Sequence, residues 1–319
     1  MDVYRLRRNI IRNISGGRPV LFSSKNVFSR KISRYTDFYY LLIDREDHFI
    51  LHDSQDVSLF REDNITVSSD PESEIKKLLN GRIPYVFNES IDFIPVERAD
   101  FSHIFRKPLD EEIDVIETGS KILRESFTVS MNNIAENMRE YEIMALFDYN
   151  IEKSGMIEFL HPTAVLTGNR TSIPLGRTSE KIFTKGENII VDSSPYYKNY
   201  LLSYSQTFFT EFNEEYEKIW KIYEKMFENV ESLLKPGTEC HIIDKYFRQF
   251  LNQYNLSFPH YSGYPVGEFT KPYCFPDSRD VLERNMVLVL VPAIYIKNKF
   301  GIRNKRIVQI TDDGYRTLD

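Results

Sequence analysis

The sequence predicts an α+β protein of two domains. Three observations carry this expectation. The chain has 319 residues, a length that suits two domains. Its texture changes at Lys107-Pro108. Beyond that point, pairs of helices alternate with groups of strands, instead of the single strand–helix units of a parallel sheet. We place a smaller α/β domain at residues 1–105 and a larger domain at residues 106–319.

In the first domain, Val3, Leu6, Ile10 and Ile14 recur at helical spacing. This predicts a surface helix with an arginine-rich outer face. Ser15-Gly16-Gly17 ends it. PVLFSS, DFYYLLID and HFILHD are β-like. SEIKKLLN, opening near Pro71, predicts a helix that stops at Gly81, and IPYVFN and IDFIPVE predict two more strands.

In the second domain, PLDEEIDVIETGSKILRESF begins with proline and acids, as a helix N-terminus prefers. Ile113, Ile116, Leu123 and Phe127 share one face of it. A second helix covers about residues 139–154. AVLTGN, ENIIVDSS and YLLSYSQTFFTEF predict strands. NEEYEKIWKIYEKMFENVESLL predicts a helix with Tyr216, Ile219, Trp220, Tyr223, Phe227 and Val230 at core spacing. GTECHIIDKYFRQFLNQYN follows it as another helix. MVLVLVPAIYI (286–296) predicts a buried strand, too short to span a bilayer, although Pro292 lacks the ladder donor a central strand needs. GIRNKRIVQIT and the turn Asp312-Asp313-Gly314 complete the chain. The order helix, helix, strands occurs twice.

Bulk properties narrow the function. A net charge of −6 argues against a nucleic-acid binder, which would carry a basic domain. The two cysteines, Cys240 and Cys274, show no CxxC or CxxH spacing. That pattern excludes a disulfide scaffold or thiolate zinc site and suits a reducing compartment. The N-terminus lacks the apolar core of a signal peptide. A cytoplasmic protein with no membrane association is expected, so the triplets at Asn13, Asn64 and Asn169 carry no glycosylation signal.

Seven phrases stand in order over about residues 106–319: FRKPLDEEIDVI, which opens at Phe105, LTGNRTSIPLGR, ENIIVDSSPYYKNYLLSYSQTF, LLKPGTE, HYSGYPVG, VLERNMVLVLVPAIY and GIRNKRIVQITDDGY, the last overlapping strands already described. Together they resemble the C-terminal "pita-bread" domain of the methionine aminopeptidase, Xaa-Pro dipeptidase (prolidase) and creatinase family. The preceding residues are similar in size and texture to the N-terminal domain of Xaa-Pro peptidases and creatinase. In that family the strand proline follows a metal-ligating glutamate. Here Val291 stands in the glutamate's place.

The resemblance implies a site, and the residues depart from it. Family peptidases hold two divalent cations with two Asp, one His and two Glu. Four carboxylates then balance the cations while a bridging water becomes nucleophilic. Carried over position by position, the first Asp is Asp192. The second falls on Ser203, the histidine on Tyr264, and the glutamates on Val291 and Lys305. One ligand of five remains, so no metal cofactor is expected. Creatinase works without metal but relies on a histidine and glutamates of the same site. Leu175 and Lys271 stand where two further family histidines belong, and only His260 is kept.

Plainer readings exist for each residue. Asp192 could cap the Ser-Ser-Pro turn. His260 lacks an evident carboxylate partner, Tyr264 could simply fill space, and Lys305 could be an exposed strand lysine. His103, His161 and His241 fit no ligand spacing, and Ser203 and Ser205 have no Ser-His-Asp arrangement.

The expectation is a catalytically degenerate homologue that binds a peptide or protein in the former active-site pocket through Asp192, Ser203, His260, Tyr264, Val291 and Lys305. Family precedent also implies a homodimer. The alternative is an active proline-specific metallopeptidase, or a metal-free hydrolase using His260. Three structural expectations follow. Lys305 should occupy the place of the cations and pair with Asp192, with Ser203 or Tyr264 adding a hydrogen bond. The pocket should be smaller and drier than in an active relative. Lys305→Met alone should destabilise the fold more than Lys305→Met combined with Asp192→Asn.

Overall fold

The computed structural model describes residues 2–26, 28–61, 64–266 and 271–319. The chain forms two compact units, Met1–Arg106 and Lys107–Asp319.

The first unit is built on a six-stranded mixed sheet in the order Ile65–Ser68, Asp47–His52, Tyr40–Ile43, Val20–Ser23, Tyr85–Val86, Glu97–Arg98. Two of its strands depart from expectation. Ile65–Ser68 gave little signal because it lies at the sheet edge with Val67 exposed. IDFIPVE contributes only its last residue to a strand, since Pro95 interrupts the backbone donors. The first helix, Val3–Ile14, also turns a different face inward. Tyr4, Arg7, Arg8 and Ile11 are buried while Ile14 is exposed. Burial of Arg8 is tolerated because its guanidinium meets Asp47 at 2.7 Å and lies over the Phe49 ring.

The second unit repeats one pattern. Helices Asp110–Met131 and Glu140–Lys153 precede the antiparallel sheet Tyr204–Phe209, Asn188–Ser193, Ala164–Thr167. Helices Glu214–Val230 and Cys240–Asn252 precede the sheet Gly263–Pro265, Val287–Leu290, Arg306–Ile310, Tyr315–Thr317. On the first helix Ile113, Ile116, Leu123 and Phe127 are all buried, as their spacing requires. Glu112 begins that helix by accepting the Leu109 N–H at 2.7 Å and the Tyr200 hydroxyl at 2.8 Å. On the third helix Ile219, Tyr223, Phe227 and Val230 are buried, while Tyr216 and Trp220 pack at the margin of the core. The turn before Val287 places Asn285 at φ 68°, a left-handed conformation that asparagine tolerates better than most residues.

The two long apolar runs are not continuous strands. MVLVLVPAIYI divides into Val287–Leu290 and Ala293–Ile296, which belong to different sheets. Pro292 sits at the break, where no ladder donor is needed. GIRNKRIVQI divides likewise into Phe300–Arg303 and Arg306–Ile310. Tyr223 pins both breaks. Its hydroxyl lies 3.0 Å from the carbonyls of Pro292 and Asn304 and accepts the Asn304 N–H at 2.9 Å. Among the described residues no helix is long and apolar enough to cross a membrane.

Candidate functional site

Three segments of the second unit meet at one cleft: the end of strand Asn188–Ser193, the break at Val291–Pro292, and the break at Asn304–Lys305. The strand is buried along its whole length, which carries Asp192 into the interior. Polar side chains of the neighbouring strand fasten the third segment. Ser205 lies opposite Asp192, and its carbonyl accepts the Lys305 N–H at 2.9 Å. Thr207 accepts the Arg303 N–H at 2.8 Å and donates its own N–H to Asn304 Oδ1 at 2.6 Å. Gly301 is required just upstream, because a Cβ there would collide with the Thr171 carbonyl.

At the floor, Lys305 Nζ lies 2.6 Å from Asp192 Oδ1 and donates to Ser203 Oγ at 2.9 Å. Ser203 in turn shares a 2.8 Å hydrogen bond with the Tyr264 hydroxyl. On the other side of Asp192, Arg303 Nη2 meets Oδ2 at 3.0 Å. The expected Lys305–Asp192 pair is therefore present, with a second cation that was not expected. Burial pushes the Asp192 carboxyl up, but Lys305 and Arg303 outweigh it and hold the group below the usual carboxylate range. Burial pulls Lys305 and Arg303 down, yet Asp192 together with the neighbouring tyrosines, Tyr264 for Lys305 and Tyr295 and Tyr264 for Arg303, offsets this and leaves both above their ordinary values. All three groups are charged at neutral pH.

His260 stands on the cleft wall. Its Nδ1 lies 2.8 Å from the Tyr261 carbonyl, which can only accept, so Nδ1 carries the proton. Nε2 then accepts from the Tyr295 hydroxyl at 3.0 Å. Burial lowers the His260 pKa, and the Arg303 and Lys305 charges lower it further, against the raising effect of the Tyr261 bond. The ring is a neutral imidazole whose lone pair is already engaged, a poor starting point for a general base.

The remaining positions divide. Val291 is buried and lines the cleft. Leu175 also lines it but is 86% exposed, so it stands at the mouth and fills nothing. The cleft has a volume of about 820 Å³. The two cationic side chains fill only its floor. Lys271 does not line the cleft; its ammonium pairs with Asp280 at 2.8 Å. Gly267, in the HYSGYPVG phrase, lies outside the described residues.

Sequence reasoning missed Arg303 and His161. Arg303 was visible as the arginine of GIRNKR but carried no role. His161 sits in no recognisable spacing, and the fold alone brings it to the cleft.

The donor set does not fit a pair of divalent cations. Its one carboxylate among the described residues, Asp192, is already bonded to two cationic side chains. Among the described residues no group of three or more His, Cys, Asp or Glu side chains converges as a metal cluster would. Val291→Glu should therefore leave the protein unable to hold metal, because the new carboxylate would meet Lys305 and Arg303 before any ion. Stoichiometric manganese in that variant, measured by atomic spectroscopy after dialysis, would show that these positions are wrongly assigned.

Comparison with known proteins agrees with the architecture. The chain is 30% identical over 217 residues to an uncharacterised peptidase of Methanocaldococcus jannaschii, covering 65% of this chain and 62% of the relative. It is 27% identical over 213 residues to the Xaa-Pro dipeptidase of Pyrococcus furiosus, covering 65% and 61%. The chain thus spans less than two thirds of the length of these curated relatives. Among solved structures, the X-Pro aminopeptidase of Thermotoga maritima superimposes with a TM-score of 0.86 at 22% identity, covering 98% of this chain and 97% of that one. The prolidase of Pyrococcus furiosus superimposes with a TM-score of 0.78 at 21% identity, covering 97% and 98%. These neighbours share the α+β pita-bread fold behind a smaller α/β domain. The model of metallopeptidase family M24 matches residues 114–312, and the chain belongs to that family.

Proposed function

We propose that the protein is a non-hydrolytic member of its family whose cleft binds a peptide or a segment of a protein. One observation carries this reading: Asp192, at the position of the first family ligand, is neutralised by Lys305 and Arg303. An ammonium at the place of a metal ligand repels a divalent cation and offers no lone pair to one. On this reading the protein works without a metal cofactor.

The opposing reading, an active proline-specific peptidase or a metal-free hydrolase, draws support from the curated Xaa-Pro dipeptidase among the relatives. Against it stand the donor set and the engaged lone pair of His260. Incubation of the purified protein with Ala-Pro and Leu-Pro, with and without added manganese, cobalt or zinc, tests the proposal. No release of free proline above the buffer rate is expected. Metal-dependent release would overturn the non-hydrolytic reading, and metal-independent release abolished by His260→Ala would establish the alternative.

A further inference from the structure

The floor of the cleft carries an excess of positive charge. Arg303 and Lys305 are both buried, and among the described residues Asp192 is the only carboxylate bonded to them. Two cations against one anion leave one positive charge. The environment does not remove it. His260 is neutral, and a second cavity lined by Lys305 also holds Arg124 and Arg306, with Asp319 its one acidic residue among the described residues. Buried charges are tolerated when paired, so an uncompensated one marks a place for an anion.

The donors for such an anion are present. A lysine ammonium has three N–H groups. Lys305 directs bonds to Asp192 and Ser203, which leaves one. Among the described residues Arg303 Nη2 reaches only Asp192, which leaves another. Its remaining N–H groups go to Ser205 Oγ, the Pro174 carbonyl and the Tyr295 hydroxyl. Both residues line the cleft, on either side of Asp192.

The walls select the kind of anion. Tyr141, Met144, Tyr261 and Val291 give the cleft apolar sides, and Leu175 and Tyr261 stand at its mouth 86% and 53% exposed. A cleft of about 820 Å³ is far larger than an inorganic anion and suits a small organic ligand. The cations lie deep, so the negative group must reach the floor. A chain terminus does so with one pass of backbone, whereas an acidic residue within a chain needs room both to enter and to leave.

Resting on the reading of this cleft as a binding site, we propose that it takes a short apolar peptide by its free C-terminal carboxylate, which Lys305 and Arg303 receive at the floor.

Calorimetric titration with acetyl-Ala-Leu-Phe as the free acid, and with its C-terminal amide, tests this. The acid should bind at least about tenfold tighter than the amide, because only the acid offers a charged acceptor to two cationic donors. Lys305→Met should bring that ratio close to one. Should that variant not fold, the exposed Leu175 provides a second route. Leu175→Glu should weaken binding of the acid several-fold and Leu175→Lys should strengthen it, with little change for the amide.

Equal affinity for acid and amide, or no binding of the acid at millimolar concentration, would overturn the carboxylate site. So would displacement of the acid by an equal concentration of inorganic phosphate. Cleavage of a peptide during titration, read by chromatography, would overturn the non-hydrolytic reading. The acid-to-amide ratio would still decide the carboxylate site.

Discussion

Asp192→Asn should destabilise the protein by about 3–5 kcal/mol, the usual cost of leaving a buried charge without its partner. The effect is large because Asp192 serves two cations at once, with Lys305 at 2.6 Å and Arg303 at 3.0 Å. Its removal leaves both facing a neutral amide. Adding Lys305→Met should recover part of the loss, since one of the stranded charges then disappears. Lys305→Met alone should cost less than Asp192→Asn, because Arg303 still neutralises the carboxylate. This reverses the emphasis expected from the sequence, where Lys305 was the only partner in view. Urea denaturation of the three variants measures the order.

The pH dependence has a definite sign. The native pKa of Asp192 is lowered from 3.8, so its contribution is present above that value and is lost as pH falls through the lower native one. The native pKa of Lys305 is raised from 10.5, so its contribution is complete below that value and is lost as pH rises through the higher native one. The stability gap between wild type and Asp192→Asn should therefore be level across the neutral range and close in strong acid.

Glu140→Gln should cost a comparable amount, about 3–5 kcal/mol. Glu140 is fully buried. Its carboxylate accepts the Thr167 N–H at 2.9 Å, the Ser179 N–H at 2.9 Å, the Ser179 hydroxyl at 2.7 Å and Arg170 Nε at 3.1 Å. Every one of these partners donates. Glutamine matches the shape but turns an NH₂ group toward donors on one side. The consequence reaches the cleft, because residues 174–178, between the two anchored segments, line it and the Pro174 carbonyl accepts from Arg303 at 2.7 Å. Hydrogen exchange should show lost protection at Thr167 and Ser179 before the rest of the domain. Unchanged protection there, together with unchanged urea stability, would remove Glu140 from this role.

The helices were legible because each has one apolar face, as with Ile113, Ile116, Leu123 and Phe127. The breaks at Val291–Pro292 and Asn304–Lys305 were not. Both flanks of each break are strand-like, and only the Tyr223 hydroxyl, far away in sequence, explains why the chain turns there. At the site, Asp192 and Lys305 could be paired in advance because family positions that hold the same ions must converge. Arg303 escaped notice because it replaces no ligand, and His161 because only tertiary folding brings it to the cleft. Leu175 was assigned to the interior by correspondence, but its loop carries it to the surface.

On the proposed reading, the Lys305 ammonium stands where the family's metal ions would be held. Titration of the metal-stripped protein with Mn²⁺, followed by calorimetry and by spectroscopic measurement of retained metal, tests it most directly. No stoichiometric binding is expected. Near-stoichiometric retention of manganese, lost on substitution of Asp192, would contradict it.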